Sequence, residues 1–166
     1  MAMAATTHAD HVPVAVADAA QLPFADASFD LVVLFMVLHD VDRMEEAVAE
    51  AARVTSSGGR ISIAISHPIQ GIGDFSGPER PGSYIIDRSY FEERKLTYWT
   101  EASGSRVALH FKYRPLAAYT AALERAGLLI ESLREPAPPG DKGDQLRDLE
   151  RRRLVPSFLH IRAINP

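Results

Sequence analysis

The sequence predicts an α/β domain built around a parallel β-sheet. Phe29–Phe35 (FDLVVLF) and residues 60–65 (RISIAI) are almost continuously apolar, as strands buried on both faces of a sheet are. Between them lies a helical period of apolar residues, namely Met44, Ala47, Val48, Ala51 and Ala52. Strand, helix and strand joined by short links are typical of a parallel sheet covered by helices.

The flanks of this helix and strand carry further local signals. The helix is expected to begin at Asp42, because Glu45 follows at the spacing of a capping box, and to end at residues 56–59 (SSGG). Upstream, residues 12–17 (VPVAVA) place valines at alternate positions and predict a strand that ends at Asp18.

The C-terminal third predicts a second helix and two more strands. The helix begins at Pro115 and ends at Gly127. Residues 128–133 and Phe158–Ile164 have the apolar character of strands, and residues 136–144 read as a loop between them.

Residues 67–113 differ in composition from the rest of the chain. They hold several glycines and prolines, many aromatic residues, and one alternating strand at residues 107–113. A long insertion after a sheet strand is usually functional or without fixed order. We therefore expect a single domain over residues 1–166, with residues 67–113 inserted as a substrate lid.

Composition excludes several classes of protein. The chain has 166 residues, a net charge of −4 and a pI near 5.8, which argue against a nucleic-acid-binding protein. It has no cysteine, which excludes disulfides and thiolate metal sites and fits a cytoplasmic protein. No segment approaches the roughly 20 apolar residues of a membrane helix. We expect no metal at His8 and His11 and a solvated surface at residues 151–153.

An ordered set of short motifs resembles the class I S-adenosylmethionine-dependent methyltransferases that act on small molecules. The motifs are Asp18-Ala19, Leu22-Pro23-Phe24, Ser28-Phe29-Asp30, Leu38-His39, Arg53-Val54 and Gly58-Gly59, followed by Arg114-Pro115-Leu116, Tyr119, Ala126-Gly127 and Glu135-Pro136. Together they span residues 12–164. The resemblance implies a Rossmann-like sheet with strand order 3-2-1-4-5-7-6, S-adenosylmethionine as cofactor and a small-molecule methyl acceptor.

The resemblance also implies which residues contact the cofactor. Asp18 is expected to accept a hydrogen bond from the adenine amino group, and the backbone N–H of Ala19 to reach the ring. Leu34, Phe35 and Met36 are expected to lie beside the sulfonium and the ribose of the cofactor. The alternatives are that Asp18 caps a turn and that the other side chains pack in the core.

Methyl transfer is an in-line displacement in which a protein supplies positioning and sometimes a base. His39 and His67 are the candidate catalytic residues, since each follows a buried strand at the sheet edge where α/β proteins bind ligands. The alternatives are a helix-start role for His39 and a turn role for His67. His110 is a weaker candidate, because it lies on the polar side of its strand.

Aromatic residues of the insertion are candidates for the acceptor pocket. Tyr84, Tyr90 and Trp99 could line an apolar pocket, and Arg114 could bind an acidic group of the substrate. Packing within the lid explains the aromatic residues equally well, and an ion pair with a nearby carboxylate explains Arg114.

The glycine-rich strand–turn–helix with which the family binds its cofactor does not match any part of this sequence. It should precede residue 12, where eleven residues without glycine stand. Residues 71–77 (GIGDFSG) resemble it, but their third glycine is one position late and Pro78 and Pro81 follow in place of a helix. Only the adenine-end contacts of the cofactor site are therefore expected here.

This difference predicts a truncated sheet with strands 3, 4, 5, 7 and 6 of the family order. Phe29–Phe35 becomes an edge strand, and a flat apolar edge invites association. Three outcomes are open: the strand at residues 12–17 pairs with this edge, a second subunit covers it, or the chain is a fragment of a longer product. We expect self-association and methyl transfer that is impaired or partner-dependent. The alternative is a non-catalytic binding module.

Overall fold

The computed structural model describes residues 13–76, 82–102, 104–138 and 153–166. The α-helices with both ends described are α1 (Met44–Val54) and α2 (Leu116–Arg125). The strands are β1 (Phe29–Phe35), β2 (Thr55–Ser66), β3 (Gly73–Phe75), β4 (Tyr84–Ile86), β5 (Arg94–Ala102), β6 (Ser105–Tyr113), β7 (Leu129–Arg134) and β8 (Phe158–Ile164).

The central sheet has the strand order β1-β2-β8-β7. β1 and β2 are parallel, with Val32 beside Ile61 and Leu34 beside Ile63, whereas β8 is antiparallel to both of its neighbours. This order reproduces positions 4-5-7-6 of the family sheet. The predicted α/β fold is therefore confirmed, and β1 is the edge strand that the sequence predicts.

One face of the sheet carries the core. The inward side chains of β2 and β8 are fully or almost fully buried against α1 and α2; they are Ile61, Ile63, Ile65, Leu159, Ile161 and Ala163. On the other face, Leu31 and Val33 are 59% exposed and Phe35 is 70% exposed. None of the described residues forms a helix over that face, so the sheet is covered on one side only within this part of the chain.

The strand predicted at residues 12–17 is wrong for residues 13–17, which have no regular structure. The chain then turns at Asp18, whose carbonyl accepts a 2.9 Å hydrogen bond from the Gln21 N–H. Alternating valines form a strand only where a neighbour offers backbone partners. No described strand lies there to supply them.

The apolar stripe of α1 is confirmed, but its predicted cap is wrong. Arg43 occupies the N-cap position without a side-chain cap, because the Asp42 carboxylate is paired with the Lys95 ammonium at 2.7 Å. The glycines at residues 58–59 do not precede β2 as a separate link, since that strand begins directly after α1 at Thr55. The strand is thus five residues longer at its start than expected.

Residues 67–113 form a 3-10 turn at Pro68–Gly71 and two hairpins, β3–β4 and β5–β6. The alternating strand predicted at residues 107–113 lies within β6. A side chain at Gly71 would meet the Tyr113 ring at 2.4 Å, so close packing accounts for this glycine. His8, His11, Gly77, Pro78, Pro81 and residues 139–152 lie outside the described residues.

Candidate active site

The turn after β1 begins the candidate site. Met36 follows the last residue of β1 with φ of 54°, and its N–H donates to the Ala64 carbonyl at 2.8 Å. A residue other than glycine in this left-handed region carries about 1–3 kcal/mol of strain, which is commonly found at functional sites. The next residues of the turn are buried: Leu38 is 1% exposed and His39 is 2% exposed.

His39 is the titratable group at the centre of the site. Its ring lies against Phe111 with 5.1 Å between centroids, and its Nε2 is 3.3 Å from Asp40 Oδ1. Nδ1 is buried, and none of the described residues gives it a hydrogen-bond partner. Burial lowers the pKa of His39, Asp40 raises it, and Arg114 lowers it further. A neutral ring with its proton on Nε2, toward the carboxylate, leaves Nδ1 free to accept a proton.

A cavity of about 330 Å³ lies between the His39 turn and the base of the β5–β6 hairpin. Its walls are His39, Asp40, Asp42, Lys95, Leu96, Thr97, His110, Phe111 and Lys112. This volume is in the range of small-molecule sites. Lys95 is paired with Asp42, and Thr97 Oγ1 lies 3.0 Å from His110 Nδ1. The walls combine one aromatic face with polar groups that are already partnered.

The segment predicted to meet the cofactor is only partly free. Asp18 Oδ1 accepts the Ala20 N–H at 2.9 Å, and Oδ2 is paired with the Arg43 guanidinium. Ala19 and Leu34 pack against the core, whereas the Phe35 side chain is 70% exposed on the open face of the sheet. The turn-cap alternative for Asp18 and the packing alternative for Leu34 both match these contacts.

His67 lies at the carboxyl end of β2, as predicted, but neither ring nitrogen is free. Nε2 is 2.8 Å from Glu135 Oε1, and Nδ1 accepts the Ile69 N–H at 3.1 Å. Burial lowers the pKa of His67, and Glu135 partly offsets this. These contacts cap the turn after β2 and join it to the end of β7, which fits the structural alternative for this histidine.

The four residues predicted to bind substrate do not converge on the cavity. The Tyr84 hydroxyl donates to the Ile69 carbonyl at 2.6 Å, and the Tyr90 hydroxyl accepts the Leu116 N–H at 3.0 Å. Trp99 is 59% exposed beneath the Arg106 guanidinium, and Arg114 is buried. The cavity walls are instead lined by Lys95, Leu96, Thr97 and Phe111. The only sequence signal for these residues is the alternation of apolar and polar residues in β5 and β6.

Replacing His67 by asparagine is expected to reduce the pH dependence of stability. Because the folded pKa of His67 lies below the 6.5 of the free side chain, the unfolded chain binds more protons as pH falls, and the free energy of unfolding drops below about pH 6.5. Asparagine keeps an acceptor for the Ile69 N–H and does not titrate. Urea unfolding at about pH 7.5 and about pH 5.5 measures this; an unchanged difference between the two would contradict the assignment.

Comparison with known proteins shows which families this chain resembles. A profile of the methyltransferase domain matches residues 1–63. The demethylmenaquinone methyltransferase of Renibacterium salmoninarum is 47% identical over 55 residues, covering 32% of this chain and 23% of that protein. The enzyme of the same name from Corynebacterium urealyticum is 36% identical over 86 residues, covering 52% of this chain and 33% of the relative. The chain thus spans a third or less of these relatives.

Solved structures extend the likeness to the whole fold. An S-adenosylmethionine-dependent methyltransferase from Mesorhizobium loti superposes with a TM-score of 0.76 at 23% identity, covering 98% of this chain and 76% of that one. The [4+2]-cyclase SpnF superposes with a TM-score of 0.60 at 16% identity, covering 99% and 62%. At these identities the likeness concerns the fold.

The β1-β2-β8-β7 sheet with helices between its strands is the class I methyltransferase fold. Together with the methyltransferase-domain profile over residues 1–63, it supports the resemblance of the chain to the S-adenosylmethionine-dependent class I methyltransferases of small-molecule type. No helix among the described residues is both long enough and apolar enough to cross a lipid bilayer.

Proposed function

We propose that this domain takes part in methyl transfer from S-adenosylmethionine to a small aromatic molecule bound beside His39. The observation that carries the proposal is the buried His39 ring, with Nδ1 unpartnered, in the wall of a cavity of about 330 Å³. The cavity adjoins the turn after β1, the segment that the family resemblance assigns to the cofactor. The protein is proposed to work in the cytoplasm.

The described residues fit one part of the cofactor. The Asp18 carboxylate has about four acceptor positions, of which the contacts to Ala20 and Arg43 use two, so it retains capacity for an adenine amino group. The exposed Phe35 side chain offers an apolar wall near the end of β1. Bound there, the cofactor supplies an electrophilic methyl group. We propose that these are adenine-end and sulfonium-side contacts only.

The acceptor is proposed to be a hydroxylated ring of the quinone type that the names of the curated relatives specify. The Phe111 ring provides a face for such a ring, and Leu96 adds apolar surface. The His39 imidazole, which lies in the cavity wall, takes the proton that the acceptor releases as the bond to the methyl group forms and the bond from that group to sulfur breaks. Asp40 holds the Nε2 side of the imidazole and stabilises it once it is protonated.

Calorimetric titration of the folded chain tests the proposal. S-adenosylmethionine and S-adenosylhomocysteine are expected to bind with dissociation constants in the micromolar range or tighter. No heat at millimolar ligand would reject the enzyme function for this chain and favour the non-catalytic module. The likeness to SpnF, whose name is that of a cyclase, shows that this fold is not confined to proteins named as methyltransferases.

We further propose that β1 pairs with β1 of a second copy. A two-fold axis at Val32 sets Phe29 opposite Phe35, and Leu31 opposite Val33, in antiparallel register. Asp30 then faces Leu34, so no like charges meet. The strand has no lysine or proline, which commonly protect sheet edges.

Stacking of the two open sheet faces is less favourable than this edge pairing. Arg60 and Arg162 both contact the single carboxylate of Glu131 on that face, at 3.0 and 2.9 Å. The cluster therefore carries a net positive charge, and stacking the two faces would bring two such clusters together. Edge pairing leaves them apart.

A further inference from the structure

We propose that Arg114 is a positioning residue. It attaches the turn that contains His39 to the base of the β5–β6 hairpin. This inference rests on the catalytic role proposed for His39. It assigns Arg114 a function other than the substrate contact that the sequence suggests.

The guanidinium of Arg114 is directed at the backbone of the His39 turn. Nη1 donates to the Leu38 carbonyl at 2.9 Å, and Nη2 donates to the carbonyls of Val41 and Asp42 at 2.8 and 3.2 Å. The side chain is 1% exposed. One planar group thus binds carbonyls on both sides of His39, and a lysine ammonium lacks the fork needed to reach all three.

The hairpin holds the same turn through its last residues. Arg114 directly follows β6, and the Lys112 N–H donates to the His39 carbonyl at 2.7 Å. Glu93, just before β5, lies 3.4 Å from Arg114 Nε and 2.7 Å from Lys112 Nζ. Because β6 also supplies Phe111 to the cavity wall, the same strand positions His39 and contacts the acceptor.

The positive charge of Arg114 adds an electrostatic effect to the geometric one. It opposes protonation of His39, on which burial acts in the same direction and Asp40 in the opposite one. Other groups that face the imidazole or its turn are Glu93, Lys112, Lys95 and Asp42, which form ion pairs, and His110 across the cavity. Lysine at position 114 keeps the charge and loses the fork, whereas methionine loses both.

Nuclear magnetic resonance of the free protein can separate the two effects in Arg114→Lys and Arg114→Met. Loss of the fork is expected to raise the exchange rate of the Lys112 amide at least about tenfold in both variants, since its partner turn is no longer held. The pKa of the His39 imidazole is expected to rise in Arg114→Met and to stay low in Arg114→Lys. Arg125→Met is the matched control, because Arg125 is 59% exposed and its ion pair with Glu45 lies at the surface.

Wild-type exchange at Lys112 and an unchanged His39 pKa in a folded Arg114→Met protein would overturn the proposal. If Arg114→Met does not fold, Arg114→Lys decides the geometric part through the Lys112 amide alone. Where turnover is measurable, both variants are expected to lower kcat more than they raise KM. These resonance measurements need neither cofactor nor acceptor, so their failure is distinguishable from failure of the proposed methyl transfer.

Discussion

Replacing His39 by phenylalanine is expected to lower kcat about 10²–10⁴-fold, the usual contribution of a positioned general base. Phenylalanine retains a ring against Phe111 and removes Nδ1, which is buried with no hydrogen-bond partner among the described residues. Thermal stability is therefore expected to hold or rise while turnover falls. The measurement is S-adenosylhomocysteine formation with the hydroxylated quinone-type ring proposed as acceptor, together with a melting curve for each protein.

The control for this substitution is His160→Gln, a change on the exposed, outward side of β8. It is expected to leave kcat and stability near wild type. The low pKa of His39 also predicts that the acid limb of the kcat/KM profile lies below pH 6.5 and is absent from the phenylalanine variant. Full turnover in His39→Phe, with the acid limb retained, would show that another group takes the proton.

The elements that sequence predicts correctly are those whose signal is local. β1, β8 and the stripe of α1 are strings of apolar residues with the period of their own structure, and burial needs only the face that the period defines. The position of His39 also follows from a local signal, the Leu38-His39 pair after a buried strand, whereas its catalytic role stays a prediction. Its position at the carboxyl end of β1 follows from the strand assignment alone.

The cavity could not be predicted, because it forms between segments far apart in sequence. Phe111 meets His39 only after the β5–β6 hairpin docks on the turn, some seventy residues away along the chain. Asp42 is a second case in which a distant residue decides the contact. Its local spacing favours a helix cap, but its carboxylate forms an ion pair with Lys95 of the hairpin. For Arg114 the sequence left open a substrate contact and an ion pair with a nearby carboxylate; Glu93 matches the ion pair, whereas the backbone carbonyl partners leave no trace in side-chain identity.

The failed strand at residues 13–17 and the exposed face of β1 have one cause. Parallel strands are normally buried on both faces and paired on both edges, and here the neighbours that would do so are missing from the described residues. The apolar side chains of β1 suit a strand that is buried on both faces. Val32 and Leu34 pack against the core, whereas Leu31, Val33 and Phe35 are exposed. A second copy of the chain can supply hydrogen-bond partners for the free edge of β1.

Val33→Lys is accordingly expected to convert a self-associated protein into a monomer. A cross-strand side-chain pair contributes about 0.2–1 kcal/mol, a lysine on the edge strand opposes pairing, and the two-fold axis counts each change twice, so the dimer should weaken about two- to thirtyfold. Light scattering after size-exclusion chromatography, over a range of protein concentrations, gives the mass.

Val107→Lys is the matched control, since Val107 is an exposed valine of the β5–β6 hairpin, away from β1. A wild-type protein that stays monomeric at every concentration would exclude pairing through β1. Dissociation by both variants alike would instead locate the contact elsewhere.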